Sequence, residues 1–107
     1  MLVLIKGAGD LATGVAYRLY RAGMKIVMTD IAQPTAVRRT VAFCQCIYDG
    51  TTVVEGVTAR RVDTPEQAMA CVERGEIPVL VDPEAAIRTQ LPFDAEVDAI
   101  LAKYNVN

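Results

Sequence analysis

Gly7-Ala8-Gly9-Asp10-Leu11-Ala12 follows the pattern G-x-G-x-x-A, a spacing suited to holding a phosphate with main-chain atoms. The first glycine permits a tight turn, and the second lets backbone approach a pyrophosphate. A small third residue lets a helix pack closely. A helix opening here adds N–H groups and partial positive charge, both favourable to an anion. Asp30 stands twenty-one positions after Gly9, where such folds place a carboxylate that accepts from a ribose hydroxyl. That acid would repel a 2′-phosphate, so NAD is expected over NADP. Arg38 and Arg39 are candidate contacts to a second phosphate, against the ordinary alternative of a solvated charged pair. Asp10 either caps the helix, competing with phosphate, or meets a metal ion or a neutral ligand group.

These residues need elements to place them. Leu2–Lys6 reads as a strand, the turn opens a helix running to Ala22, Gly23 stops it, and Lys25–Asp30 is a second strand. Helical angles put Leu11, Ala12, Val15, Ala16, Leu19 and Tyr20 on the buried arc. Thr13, Gly14, Tyr17, Arg18 and Arg21 fall opposite. Gly14 is either a tolerated glycine or the mark of a close approach by a ligand or another protein. Pro34 breaks the segment after Asp30 into a loop or short helical turn, and residues 42–48 read as helical.

Further along, Thr51–Val54 and Val57–Val62 form a hairpin around Glu55-Gly56. Thr64-Pro65-Glu66-Gln67 is a capping box for a helix that stops at Gly75. Ile77–Val81 is a buried strand. Asp82-Pro83-Glu84 opens a short helix ended by Pro92, and 97–101 is the last strand. Strands alternating with helices predict an α/β fold over residues 1–107. The expected form is a single Rossmann-like, doubly wound domain with a mostly parallel sheet and a small β-hairpin. One edge of that sheet would collect the glycine turn, Asp30, Asp63, Asp82 and Lys103, with helix entry the ordinary explanation for Asp63 and Asp82.

The chain has 107 residues, 52% of them hydrophobic, enough for a packed core. A net charge of −2 gives no electrostatic case for nucleic acid or an anionic membrane. With no long apolar run and no leader pattern, a cytoplasmic protein is expected. Cys44, Cys46 and Cys71 lack the partners for a metal site and read as small buried apolar residues. There is no histidine, which removes the commonest general base near neutral pH. The isolated chain is accordingly expected to bind rather than to turn over substrate.

The stretches Ile5-Lys6-Gly7-Ala8-Gly9-Asp10-Leu11-Ala12-Thr13-Gly14-Val15-Ala16, Thr29-Asp30-Ile31-Ala32-Gln33-Pro34-Thr35-Ala36-Val37-Arg38-Arg39 and Val79-Leu80-Val81-Asp82-Pro83 resemble the selenium-dependent molybdenum hydroxylase system proteins of the YqeB-like group. The resemblance implies an NAD(P)-binding Rossmann domain, a role in maturing molybdenum-cofactor hydroxylases, and a likeness in role to xanthine dehydrogenase accessory proteins. It also implies that family members continue past this length, making this chain the equivalent of their N-terminal domain. On that reading Gly7, Ala8, Gly9, Asp10 and Leu11 face a phosphate, and Asp30 faces a ribose. Arg38 and Arg39 then contact a second phosphate or the molybdopterin phosphate, and a molybdenum hydroxylase is the client. The alternatives are a small NAD(P)-dependent oxidoreductase domain and a non-enzymatic interaction module docking through Gly14, Tyr17 and Arg21. Assembly of the chain with its own copies stays open.

Overall fold

A computed structural model describes residues 1–30, 42–82 and 85–98. Its strands are β1 (Leu2–Lys6), β2 (Lys25–Asp30), β3 (Thr51–Val54), β4 (Val57–Val62), β5 (Ile77–Val81) and β6 (Ala95–Asp98). The helices are α1 (Asp10–Arg21), α2 (Cys46–Asp49) and α3 (Pro65–Glu73), with 3-10 turns at Phe43–Gln45 and Ala86–Thr89. The six strands form one sheet in the order β3-β4-β5-β2-β1-β6. All pairs are parallel except the β3–β4 hairpin. The predicted α/β architecture, with its mostly parallel sheet and small hairpin, is the observed one.

Strand alternation divides the core in two. Val3, Ile5, Ile26, Met28, Ala59, Ile77 and Val79 face one layer, made by α1 and by residues 43–47. Leu2, Leu4, Val27, Val62 and Leu80 face the other, made by α3 and the Ala85–Ile87 turn. Handedness explains the division. The connections β1→β2 and β2→β4 run toward the hairpin side, while β4→β5 and β5→β6 run back. Right-handed crossovers travelling in opposite directions must cover opposite faces. The parallel strands therefore deliver their C-terminal ends to a common edge.

Local signals act as expected at most boundaries. Gly23, at φ 95°, donates to the Tyr20 carbonyl and closes α1. Thr64 Oγ1 accepts from Gln67 N and starts α3 with Pro65 as its first residue, while Gln67 Oε1 reaches one residue past the cap to accept from Asp63 N, a variant of the expected box. Asp82 takes Ala86 N and Ile87 N on its two oxygens and starts the second 3-10 turn. That turn ends at Thr89, ahead of the expected stop at Pro92. The last strand begins at Ala95 rather than Val97, because Asp94 fixes its entry. Asp94 N donates to the Leu2 carbonyl while its carboxylate accepts from Leu2 N at 2.8 Å.

The buried arc of α1 differs from the periodic reading. Leu11 is 55% exposed and Thr13 only 4%. Ala12 and Ala16 do face the sheet, as expected. Once the Thr13 hydroxyl is held inward, Leu11, about 200° round the helix from it, must turn outward. Gly14 is exposed, and a Cβ there would meet nothing within 4 Å. Gly14→Ala should therefore raise stability by about 1 kcal/mol in chemical denaturation; destabilisation would show that the helix needs a glycine here.

At the opposite edge of the sheet Glu76 sits between Arg60, at 2.8 Å, and Arg74, at 3.4 Å. Hydrogen bonding from Arg60 is the main cause that holds its carboxyl below the usual range. A depressed carboxylate stabilises the fold above its unfolded pKa, and that contribution disappears as pH falls through the folded value. Glu76→Gln should thus be destabilised at pH 7, with the gap to wild type closing below about pH 4. A gap that stays constant between pH 7 and pH 3 would contradict this.

Candidate functional site

The glycine turn forms where β1 leaves the sheet. Gly7 N still donates to the Thr29 carbonyl at 2.6 Å, so the parallel ladder runs one residue past Lys6. Gly7 then takes φ 110°, a left-handed conformation that a side chain would strain. Ala8 is fully buried. Its N–H donates to Asp30 Oδ2 at 2.8 Å, and its carbonyl accepts from Cys44 N at 2.8 Å and from Thr13 Oγ1 at 3.3 Å. Thr13 Oγ1 in turn accepts from Phe43 N at 2.8 Å. Residues 8, 13, 30, 43 and 44 thereby close into one buried hydrogen-bonded cluster.

Gly9 is the N-cap of α1, at φ −78° and ψ −163°, and its carbonyl accepts the first helical bond from Thr13 N at 2.8 Å. The cap position is therefore Gly9, and Asp10 is the first residue of the helix proper. A helix starting this way leaves the N–H groups of Asp10, Leu11 and Ala12 without intrahelical acceptors, aimed out of the sheet edge. Anionic oxygen suits that arrangement.

Asp30 lies beside the turn as its spacing predicts, but it is only 5% exposed. One carboxylate oxygen holds Ala8 N, and its own carbonyl accepts from Asp82 N at 2.9 Å. This carboxylate is first a brace for the turn. Asp63 and Asp82 end β4 and β5 on the same edge, and the helix entries described above account for both, Asp63 through its backbone and Asp82 through its carboxylate. Arg38, Arg39 and Lys103 lie outside the described residues.

Two features of the edge were not read from the sequence. Thr13 was placed on the solvent side, since periodicity ranks a threonine as polar and gives no hint of its partners. Lys6 pairs with Asp98 at 3.3 Å where the ends of β1 and β6 lie side by side. The pair follows from β6 beginning at Ala95, which sets Asp98 opposite Lys6 in the register. Its charges stand next to the glycine turn, in the region where open α/β sheets bind their ligands.

The thiols offer no nucleophile. Cys44, Cys46 and Cys71 are fully buried. Burial pushes Cys46 up to about 12, with Cys44 and Cys71 adding to the effect. Burial and then the Glu76 charge push Cys71 up to about 11. Among the described residues, no group of three or more His, Cys, Asp or Glu is arranged to hold a metal ion. No helix among them is long and apolar enough to cross a membrane.

With this geometry in hand, comparison with known proteins is informative in one direction. The uncharacterized protein YqeB of Escherichia coli (strain K12) is 52% identical to this chain over 105 residues, or 98% of its length. The chain is a homologue of YqeB. It spans 19% of the YqeB sequence, and the match contains the glycine turn, Thr13, Asp30 and Asp82 within its span. No family model matches the chain, and no solved structure matches it.

The buried thiols generate a direct test. At pH 8 the native protein should leave all three unmodified by iodoacetamide, with labelling appearing only in denaturant, as read by intact mass. Prompt labelling of the folded protein would contradict their burial.

Proposed function

We propose that this chain is a nucleotide-binding domain whose phosphate site is the Gly7–Gly9 turn and the first turn of α1. The observation that carries the reading is the placement of the turn. The G-x-G-x-x-A segment leaves β1 at the C-terminal edge of a mostly parallel sheet and feeds directly into a helix capped by Gly9. Main-chain N–H groups at that position recognise a diphosphate without any basic side chain. NAD or NADP is the proposed ligand. Asp30 favours NAD to the extent that its carboxylate, already bonded to Ala8, reaches a ribose. Arg38 and Arg39 remain proposed contacts to a second phosphate or to a molybdopterin phosphate.

The proposed setting is the maturation of a molybdenum-cofactor hydroxylase, with that hydroxylase as client. Support comes from the sequence resemblance drawn above. A second reading, as a partner-docking module, is favoured by one observation. Leu11, Gly14, Val15 and Arg18 line an open groove of about 240 Å³ on the outer face of α1.

Calorimetric titration with NAD, NADP and ADP-ribose decides the nucleotide reading. Gly9 has a φ that any residue adopts, so Gly9→Val should keep the fold while crowding the approach to the amides. Wild type is expected to bind at least one dinucleotide, and Gly9→Val to bind it at least tenfold more weakly. Equal affinity in the two proteins, or none in wild type, would overturn the assignment.

A further inference from the structure

We infer that Thr13 is a positioning residue of the turn, the one side chain among the groups that hold the Ala8 carbonyl and so aim the Gly9 N–H away from the α1 layer toward an anionic ligand. The inference rests on the phosphate-site reading for its ligand, but its geometric part stands on hydrogen bonds already described. In a trans peptide the C=O and N–H vectors are antiparallel, and the described chain holds no cis bond. Whatever fixes the Ala8 carbonyl therefore fixes the Gly9 N–H in the opposite direction. Two donors hold that carbonyl, Cys44 N–H at 2.8 Å and the Thr13 hydroxyl at 3.3 Å, both on the side of the layer that contains α1 and residues 43–47. The Gly9 N–H must point away from that layer. Among the described residues none accepts a hydrogen bond from it.

Thr13 suits this role better than its neighbours because its hydroxyl works in both directions. It donates to the Ala8 carbonyl and accepts from Phe43 N at 2.8 Å, so the hydroxyl proton is committed to Ala8. The side chain is 4% exposed, and water does not compete readily for either bond. Removing the hydroxyl leaves Phe43 N–H without its acceptor and Ala8 with one donor fewer. The Ala8 carbonyl then rests on the Cys44 N–H alone, and residues 43 and 44, which Thr13 tied to α1 through Phe43 N, are held less firmly, so the aim of the Gly9 N–H loosens. The ligand selected by the intact arrangement is an anion, recognised through backbone rather than through side-chain charge.

The test compares wild type, Thr13→Ser, Thr13→Val and Thr13→Ala as ¹⁵N-labelled full chains. Two readouts are taken, the Gly9 amide resonance with its solvent exchange, and the affinity for NAD and for inorganic pyrophosphate. Expected is a rapidly exchanging Gly9 amide in wild type and Thr13→Ser, with affinities within about twofold. Thr13→Val should shift that resonance and bind at least tenfold more weakly while retaining wild-type far-UV dichroism. If the valine variant does not fold, Thr13→Ala, which leaves space where valine puts a methyl, carries the same expectations. An unchanged Gly9 resonance in a folded, hydroxyl-free variant, or unchanged affinity there, would overturn the role given to Thr13. Absence of any binding by wild type, with the Gly9 resonance still shifting in Thr13→Val, would overturn the phosphate-site reading and leave the peptide geometry established.

Discussion

The residue on which this structure turns is Ala8, because both of its backbone polar groups are buried and both are satisfied from distant parts of the chain. Its N–H meets a carboxylate from the end of β2, and its carbonyl meets the main-chain amide of Cys44 in the first 3-10 turn. An unpaired buried amide or carbonyl would cost about 1–3 kcal/mol, so these partners are requirements of burial. They also exclude most alternatives for the turn. With Ala8 tied on both sides, Gly7 has to supply the left-handed bend, and Gly9 is left at the rim to start the helix.

Strand order and crossover handedness then do the assembling. β1 lies between β2 and β6, and β2 lies between β1 and β5. The ends that carry Lys6, Asp30, Asp82 and Asp98 thus fall side by side although the residues are scattered over most of the sequence. The two layers are unequal in character. On the α1 side, alanines at 12 and 16 let the helix sit close to the sheet, whereas the α3 side is filled by Leu2, Leu4, Val27, Val62 and Leu80. Close seating of α1 is what brings Thr13 within reach of the turn.

Elements set by local chemistry were legible beforehand. The glycine turn, the Gly23 stop, the Thr64 capping box and the Glu55-Gly56 hairpin each depend on a few adjacent residues, and each appears where the sequence places it. The errors fall where distant partners decide. Leu11 and Thr13 exchanged sides because a threonine hydroxyl found partners at residues 8 and 43, which helical periodicity does not encode. Spacing put Asp30 beside the turn, yet it could not show that the carboxylate would hold the Ala8 N–H. The start of β6 was missed because Asp94, whose pairing with Leu2 sets it, is ninety-two positions away in the chain.

That last pairing bears on biogenesis. The strand that holds the glycine turn sits in the interior of the sheet, but its second neighbour is the last strand among the described residues. On the ribosome β1 can pair with β2 early, while its other side stays bare until the stretch from Asp94 to Asp98 emerges. The bare edge is Leu2-Val3-Leu4-Ile5, four consecutive apolar residues with open main-chain donors and acceptors, a template for unwanted strand addition. In the folded sheet a strand of four residues covers that edge, and loss of the Asp94 pairing with Leu2 would loosen the cover where it begins.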